Sequence, residues 1–251
     1  MLSMANPTEA PDRIFSGLPD PSLPWPHDFY SLAKMVDQRD ACTASHCVRM
    51  AHLSVALGKA MGLCLEQLLA LCRGAYLHDI GKIAVPDSIL FKKDRLTEAE
   101  WEVMKSHTLV GYSICEPVKY LELVLPIIRS HHERWDGTGY PDGLAGLEIP
   151  LLARVLQMAD IYDALTTKRP YKPAFDHQTA LNIMIDETAR GWRDPELMKL
   201  FLSLDFSATL ASPCSEETAP DNGGGAEDFR ASLEIMQQRL SADRAFAVVE
   251  Q

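Results

Sequence analysis

Five of the eight histidines and two aspartates form a series with the chemistry of a divalent-metal site: His46, His78-Asp79, His107, His131-His132 and Asp160. Imidazole nitrogen and carboxylate oxygen together suit Mn, Fe, Zn or Ni, and a carboxylate beside a histidine can bridge two ions. Two ions about 3.5–4 Å apart can activate a water and clamp both ends of a breaking P–O bond. A lone histidine is more often an ordinary buried or surface residue. Adjacent pairs within an ordered series shift the balance toward ligands, and the chemistry they point to is phosphoester hydrolysis. His27, His52 and His177 stand outside the series and read as ordinary surface or packing residues.

No single helix can surround an ion, so these side chains must converge from several helices inside a bundle. From Phe29 the pattern turns helical (Leu32, Met35, Val36), and a run from Thr43 to Met61 carries His46. Leu65, Leu68, Leu69, Cys72 and Ala75 repeat at helical spacing; that helix ends at His78-Asp79, with Gly81 as the break. Thr97-Glu98-Ala99-Glu100 has capping-box spacing and predicts the start of the helix that carries His107. A further helix after Pro117 delivers His131-His132 at its end. Residues 133–149 hold Gly137, Gly139, Pro141, Gly143 and Gly146 and read as a turn-rich loop. Pro150 suits the first turn of the helix bearing Asp160 and Asp163. Asp176 caps a helix to about Arg190, and Asp194-Pro195 opens the last. No strand alternation is visible, so the expected fold is all-α, a compact helical bundle around a central metal site.

The words around the ligands are specific. Residues 77–82 read LHDIGK, 131–141 read HHERWDGTGYP, 153–163 read ARVLQMADIYD, and 169–172 read RPYK. An HD pair alone is weak; the ordered set resembles the HD-GYP family, the branch of HD-domain phosphohydrolases that cleaves cyclic di-GMP. The resemblance runs from about residue 28 to residue 205. It implies that His46, His78, Asp79 and Asp160 hold one ion, and that Asp79 bridges to a second held by His107, His131 and His132. The ions would be Fe or Mn first, with Zn or Ni also suited. A hydroxide bridging them would attack phosphorus and release linear pGpG. Asp79 and Lys82 would be catalytic, the Lys82 ammonium facing charge that builds on the phosphoryl oxygens. Arg169 and Lys172 would contact the substrate's phosphates. Tyr140 offers a stacking face for guanine or for a protein partner such as a diguanylate cyclase or an adaptor. Asp163, one turn past Asp160, would orient a ligand without binding metal.

The ligand series fits a mixed cyclic GMP–AMP dinucleotide equally well. A reading from another class is a non-catalytic interaction module working through the GYP loop, which has no need of all seven ligands. One departure from the family pattern bears on the metal count. Three-metal members carry glutamate four residues before the first histidine, where this chain has Cys42. Two ions, and pGpG with little further cleavage to GMP, are therefore expected. Cys42, Cys47 and Cys72 read as core cysteines.

A net charge of −11 argues against a general DNA or RNA binder, which would carry a basic face. It says little about a small anionic substrate, since two divalent ions reverse the field locally. No run of 18 or more apolar residues suggests a membrane span, and no signal peptide is visible. Six cysteines without regular spacing do not suggest a disulfide framework, so a reducing cytoplasm is the expected location. Residues 1–27 read as a Pro-rich flexible leader, 28–205 as the phosphohydrolase domain, and 206–226 as a linker with three consecutive glycines. Residues 227–251 read as an amphipathic helix (Phe229, Leu233, Met236, Leu240) that could pack on the domain or join a homodimer. No separate sensor or receiver domain is expected.

Overall fold

The computed structural model describes residues 44–168 and 173–204. Nine α-helices are found among the described residues: α1 (Ala44–Ala60), α2 (Leu65–Leu77), α3 (Asp87–Leu90), α4 (Glu98–Lys105), α5 (His107–Cys115), α6 (Leu125–Ser130), α7 (Leu151–Thr166), α8 (His177–Ala189) and α9 (Pro195–Ser203). No strand occurs among them, only an isolated antiparallel bridge between Asp136 and Ala145. The all-α expectation holds. Helix α7 is the hub, packing against α1, α2, α6, α8 and α9. Its Val155, Leu156 and Tyr162 meet Met50, Leu53 and Leu57 of α1, Leu71 and Leu77 of α2, and Phe201 of α9 in one buried cluster. Each large side chain buried this way contributes about 1.5–3 kcal/mol, so the hub is anchored by its apolar face. No described helix is long and apolar enough to cross a membrane.

Caps fall where the side chains predict them. The Thr97 hydroxyl accepts from the Glu100 amide (3.3 Å) and the Glu100 carboxylate accepts from the Thr97 amide (2.7 Å). Asp176 accepts from the Thr179 amide to start α8, and Asp194 accepts from the amides of Glu196 and Leu197 to start α9. Pro150 is the residue before α7 instead of lying in its first turn.

Two expected helices are broken, and both breaks lie beside the site. The helix begun at Thr97 ends at Lys105, and His107 is the first residue of α5. Three successive side chains bond back to carbonyls at this kink: the Ser106 hydroxyl to Val103 (2.7 Å), the His107 Nδ1 to Met104 (2.7 Å) and the Thr108 hydroxyl to Lys105 (3.1 Å). Such side chains compete with the helix for its own acceptors. The second break lies between Pro117 and His131. A 3-10 turn at Lys119–Leu121 precedes α6, whose second residue, Pro126, has no N–H to continue a helix from upstream. His131 caps the short α6 that remains.

Cys47, Cys72 and Cys115 are buried and form no disulfide among the described residues, and burial pushes the Cys72 thiol up to about 12, as expected for packing cysteines. Cys42, the 1–27 leader, the 206–226 linker and the 227–251 helix lie outside the described residues, as do Arg169 and Lys172.

Candidate metal centre

The centre begins at the end of α2, where His78 caps the helix and the chain tightens into a 3-10 turn, Ile80–Ala84. Gly81 in that turn lies hard against the start of α5: a Cβ there would strike the carbonyl of His107 and come within 2.5 Å of the Gly111 nitrogen. Absence of a side chain at Gly81 thus lets His78-Asp79 and His107 meet. His131-His132 arrive from the end of α6, Asp160 from the middle of α7 and His46 from the first turn of α1.

All seven predicted ligands are brought together. The ligand atoms of Asp79, His107, His131 and His132 lie within 4.8 Å of one another, as do those of His46, His78 and Asp160. Asp79 sits where the two groups meet. Its Oδ1 is 3.4 Å from His107 Nε2 and 3.9 Å from His131 Nε2, while its Oδ2 is 3.1 Å from His78 Nε2. In the second group, His46 Nε2 is 3.9 Å from Asp160 Oδ1.

Backbone acceptors fix the tautomers. The Nδ1 atoms of His78, His107 and His131 each face a carbonyl oxygen of their own helix turn, at Ala75 (3.1 Å), Met104 (2.7 Å) and Ile128 (3.0 Å). A carbonyl only accepts, so each Nδ1 carries the proton and each Nε2 presents a lone pair. His46 is oriented through a carboxylate instead, its Nδ1 lying 2.5 Å from Asp163 Oδ2. Asp163 is itself held by Arg49, whose Nε donates at 2.5 Å and Nη2 at 3.2 Å. A buried carboxylate bonded to the far nitrogen of a ligating histidine is the usual way proteins orient such ligands.

The electrostatics agree. Burial lowers the pKa of His107 and His131, and brings His132 down to about 3, so all three are neutral donors at pH 7. Burial opposes the Asp79 charge, but Lys82 and His78 outweigh it and hold the carboxyl well below the usual range. The Lys82 ammonium is 2.8 Å from Asp79 Oδ2, so this cation lies inside the site. Within the cluster, Asp79 Oδ1, His107 Nε2 and His131 Nε2 are buried and have no hydrogen-bond partner among the described residues. Buried polar atoms are nearly always satisfied, and three that converge unsatisfied need a common partner. Ligands about 2.1 Å from one ion at tetrahedral angles lie roughly 3.4 Å apart, comparable to these separations. The donor set fits divalent cations.

The GYP loop closes over this cluster. Tyr140 stacks on His132 (centroids 4.8 Å apart, planes 27° apart) and meets Trp101 edge-on at 6.0 Å. Gly139 crosses the Glu133–Arg134 backbone so closely that a Cβ would come within 2.5 Å of the Glu133 carbonyl carbon. The organiser is Glu133, fully buried, whose carboxylate accepts from the amides of Asp142 (2.7 Å), Gly143 (3.1 Å) and Leu144 (3.1 Å). Gln157 of α7 donates to the carbonyls of His131 (2.9 Å) and Glu133 (2.5 Å), tying loop to hub. A cavity of about 400 Å³ opens beside the cluster, lined by His131, His132 and Asp160 on one side and by Lys105, Arg134 and Arg193 elsewhere.

Glu133, Gln157 and Arg49 escape the sequence reading. Glu133 lies inside the HHE word, but its role needs the fold of a loop nine residues on. Gln157 and Arg49 each lie three residues from a predicted ligand on one helix face, a spacing that could have suggested support. His52 bonds to the Val48 carbonyl (2.8 Å) and His177 to the Tyr162 hydroxyl (2.7 Å), both away from the cluster.

The HD domain family matches residues 31–197, and the chain belongs to that family. It is 41% identical over 173 residues to the cyclic di-GMP phosphodiesterase response regulator RpfG of Xanthomonas campestris pv. campestris, covering 68% of this chain and 46% of that protein. It is 35% identical over 187 residues to 3'3'-cGAMP-specific phosphodiesterase 2 of Vibrio cholerae, covering 73% of this chain and 36% of that protein. The chain thus spans less than half the length of these two relatives. The fold is similar to the HD domain of the L. monocytogenes phosphodiesterase PgpH, solved in complex with cyclic di-AMP, with a TM-score of 0.55 and 19% identity over 76% of this chain and 100% of that one.

Proposed function

We propose that this chain is a metal-dependent phosphodiesterase that hydrolyses a cyclic dinucleotide second messenger, with cyclic di-GMP cut to linear pGpG as the leading substrate and product. The observation that carries the reading is Asp79, which turns one oxygen toward His107 and His131 and the other toward His78. A carboxylate so placed joins two donor clusters, so the set suits two ions, Fe or Mn first. When bound, the ions would supply an activated water and positive charge opposite the phosphoryl oxygens. The protein's own part is to hold neutral imidazoles and ionised carboxylates at fixed positions, so that little reorganisation is needed on binding. With its ammonium 2.8 Å from Asp79 Oδ2, Lys82 would lie within reach of a phosphoryl group held at this site and would offset the charge that builds on its oxygens. Tyr140, facing inward against His132, offers a stacking face within the cavity, which favours substrate contact over partner docking. Arg169 and Lys172 remain assigned to the phosphates by family resemblance.

Cyclic GMP–AMP is the second reading, supported by the cyclic GMP–AMP-specific relative from V. cholerae. The test is an anaerobic assay of purified protein against cyclic di-GMP, 3'3'-cGAMP and cyclic di-AMP, with metal content measured in parallel. Cleavage of one or more by metal-loaded protein, lost on chelation, is the expected result. Failure on all three with metal bound would favour the interaction-module reading.

A further inference from the structure

Cyclic dinucleotides carry two phosphates on opposite sides of one ring. Only one can lie at the ligand cluster; besides Arg169 and Lys172, which lie outside the described residues, the cations lining the cavity are Lys105, paired with Glu102 at 2.6 Å, Arg193 and Arg134. Arg134 lines that cavity, two residues beyond His132. Its guanidinium carbon lies 4.1 Å from the centre of the Trp192 ring, with Arg190 at 5.6 Å from the same ring. The backbone locks this platform in place: the Trp135 amide donates to the Trp192 carbonyl (3.2 Å), joining the two segments side by side. Arg193 also lines the cavity, but Glu187 already takes its Nε (3.0 Å) and Nη2 (2.9 Å). Arg134 differs. Among the described residues it forms no ion pair with a carboxylate, in a chain whose net charge is −11. A guanidinium held over an indole face can still offer N–H groups to an oxyanion and loses less rotamer freedom when it binds one.

We propose that Arg134, positioned by Trp192, binds the second, uncleaved phosphate of the cyclic dinucleotide and thereby selects two-phosphate substrates over simple phosphodiesters. This rests on the cyclic-dinucleotide reading above. The contact is remote from the bond that breaks, so it contributes to binding more than to the chemical step.

The test compares the metal-loaded full chain with R134A, R134K, W192A and W192F on two substrates. One is the cyclic dinucleotide that the wild type cleaves; the other is bis(p-nitrophenyl) phosphate, which has a single phosphate. R134A is expected to raise KM for the cyclic dinucleotide about 10- to 100-fold, the usual loss for a charge-assisted contact. Its kcat should stay within about twofold, and bis(p-nitrophenyl) phosphate turnover and metal content should match wild type. R134K, which keeps charge without the planar fork, should fall between. W192A should shift KM in the same direction by less, and W192F should restore it. Equal losses on both substrates, lower metal content in R134A, or an unchanged KM would each overturn the assignment. A wild type that binds and cleaves no cyclic dinucleotide overturns the substrate reading and this inference with it; an active wild type with an indifferent R134A overturns this inference alone.

Discussion

Asp163→Asn separates orientation from ligation, because Asp163 touches His46 without facing the other donors. Its two oxygens take two donors, His46 Nδ1 at 2.5 Å and Arg49 Nε at 2.5 Å, with Arg49 Nη2 at 3.2 Å. Asparagine has one acceptor oxygen, so its amide nitrogen must confront either an N–H of Arg49 or that of His46. Breaking a buried charge pair by neutralising one partner costs about 3–5 kcal/mol. The Arg49 side chain is 25% exposed, so water recovers part of that cost, and about 2–3 kcal/mol is the better expectation. For a domain of this size the metal-free melting temperature should fall by roughly 5–10 °C. The metal effect is separate. With its far nitrogen no longer held, His46 loses its orientation and basicity, and affinity should drop about 10- to 100-fold, the range seen when such supporting carboxylates are changed. Titration against a chromophoric chelator should show the loss in about half of the bound metal, with the remainder near wild-type affinity. Wild-type melting together with wild-type affinity would refute the orienting role. Loss of all metal at once would refute the separation of the two clusters.

Asp79→Asn should remove turnover and lower metal content together, since an amide cannot present two anionic oxygens to both clusters; near-normal activity at full occupancy would mean that the bridge is misassigned. Gly81→Ala forces a methyl into the backbone of His107 and Gly111, and should destabilise the domain by about 2–3 kcal/mol while weakening metal binding. An unaltered melt would show that the turn yields at no cost. The metal-free protein should also be acid-sensitive. Burial depresses His132 to about 3 from an ordinary value near 6.5, so the unfolded chain takes up a proton that the folded chain refuses. Stability is then fully present above about pH 6.5 and falls below it by up to roughly 1.4 kcal/mol per pH unit, until about pH 3. Buried His107 and His131 act in the same direction. Denaturant melts at pH 7.5 and 5.5 would show the slope, and a flat profile would rule it out.

Helix existence was legible wherever a side chain alone decides it. Thr97, Asp176 and Asp194 each cap a helix through their own oxygens, so the start of α4, α8 and α9 could be read from one residue and its spacing. The ends were less legible. The break at Ser106 depends on three side chains turning back to three carbonyls together, and periodicity carries no trace of that choice. The 117–131 segment was misread because Pro117 drew the helix start that Pro126 in fact governs. Neither error moved a ligand. The candidate donors stand out by residue type and order, and helix boundaries matter to them only through the direction in which each side chain leaves the backbone.

The site divides along the same line. Residues that converge on the candidate centre were legible because their chemistry is rare and their order specific. Residues that hold those donors were not, because Glu133, Gln157 and Arg49 act through backbone groups or through another side chain that only the fold supplies. Asp163 is the instructive exception: its helical spacing from Asp160 placed it on the correct face, and its partner came from α1, over a hundred positions away in the chain. The two classes also differ in what their removal should do. Losing a donor empties a cluster, whereas losing Glu133 would leave every donor in place and release the 142–144 amides that hold the GYP loop down. Tyr140 would then be free to leave His132, and the wall of the cavity would go with it. The loop that gives the family its name is thus fixed from beneath by the acidic residue next to the paired histidines, and this is why one short word contains both the ligands and the cover of the site.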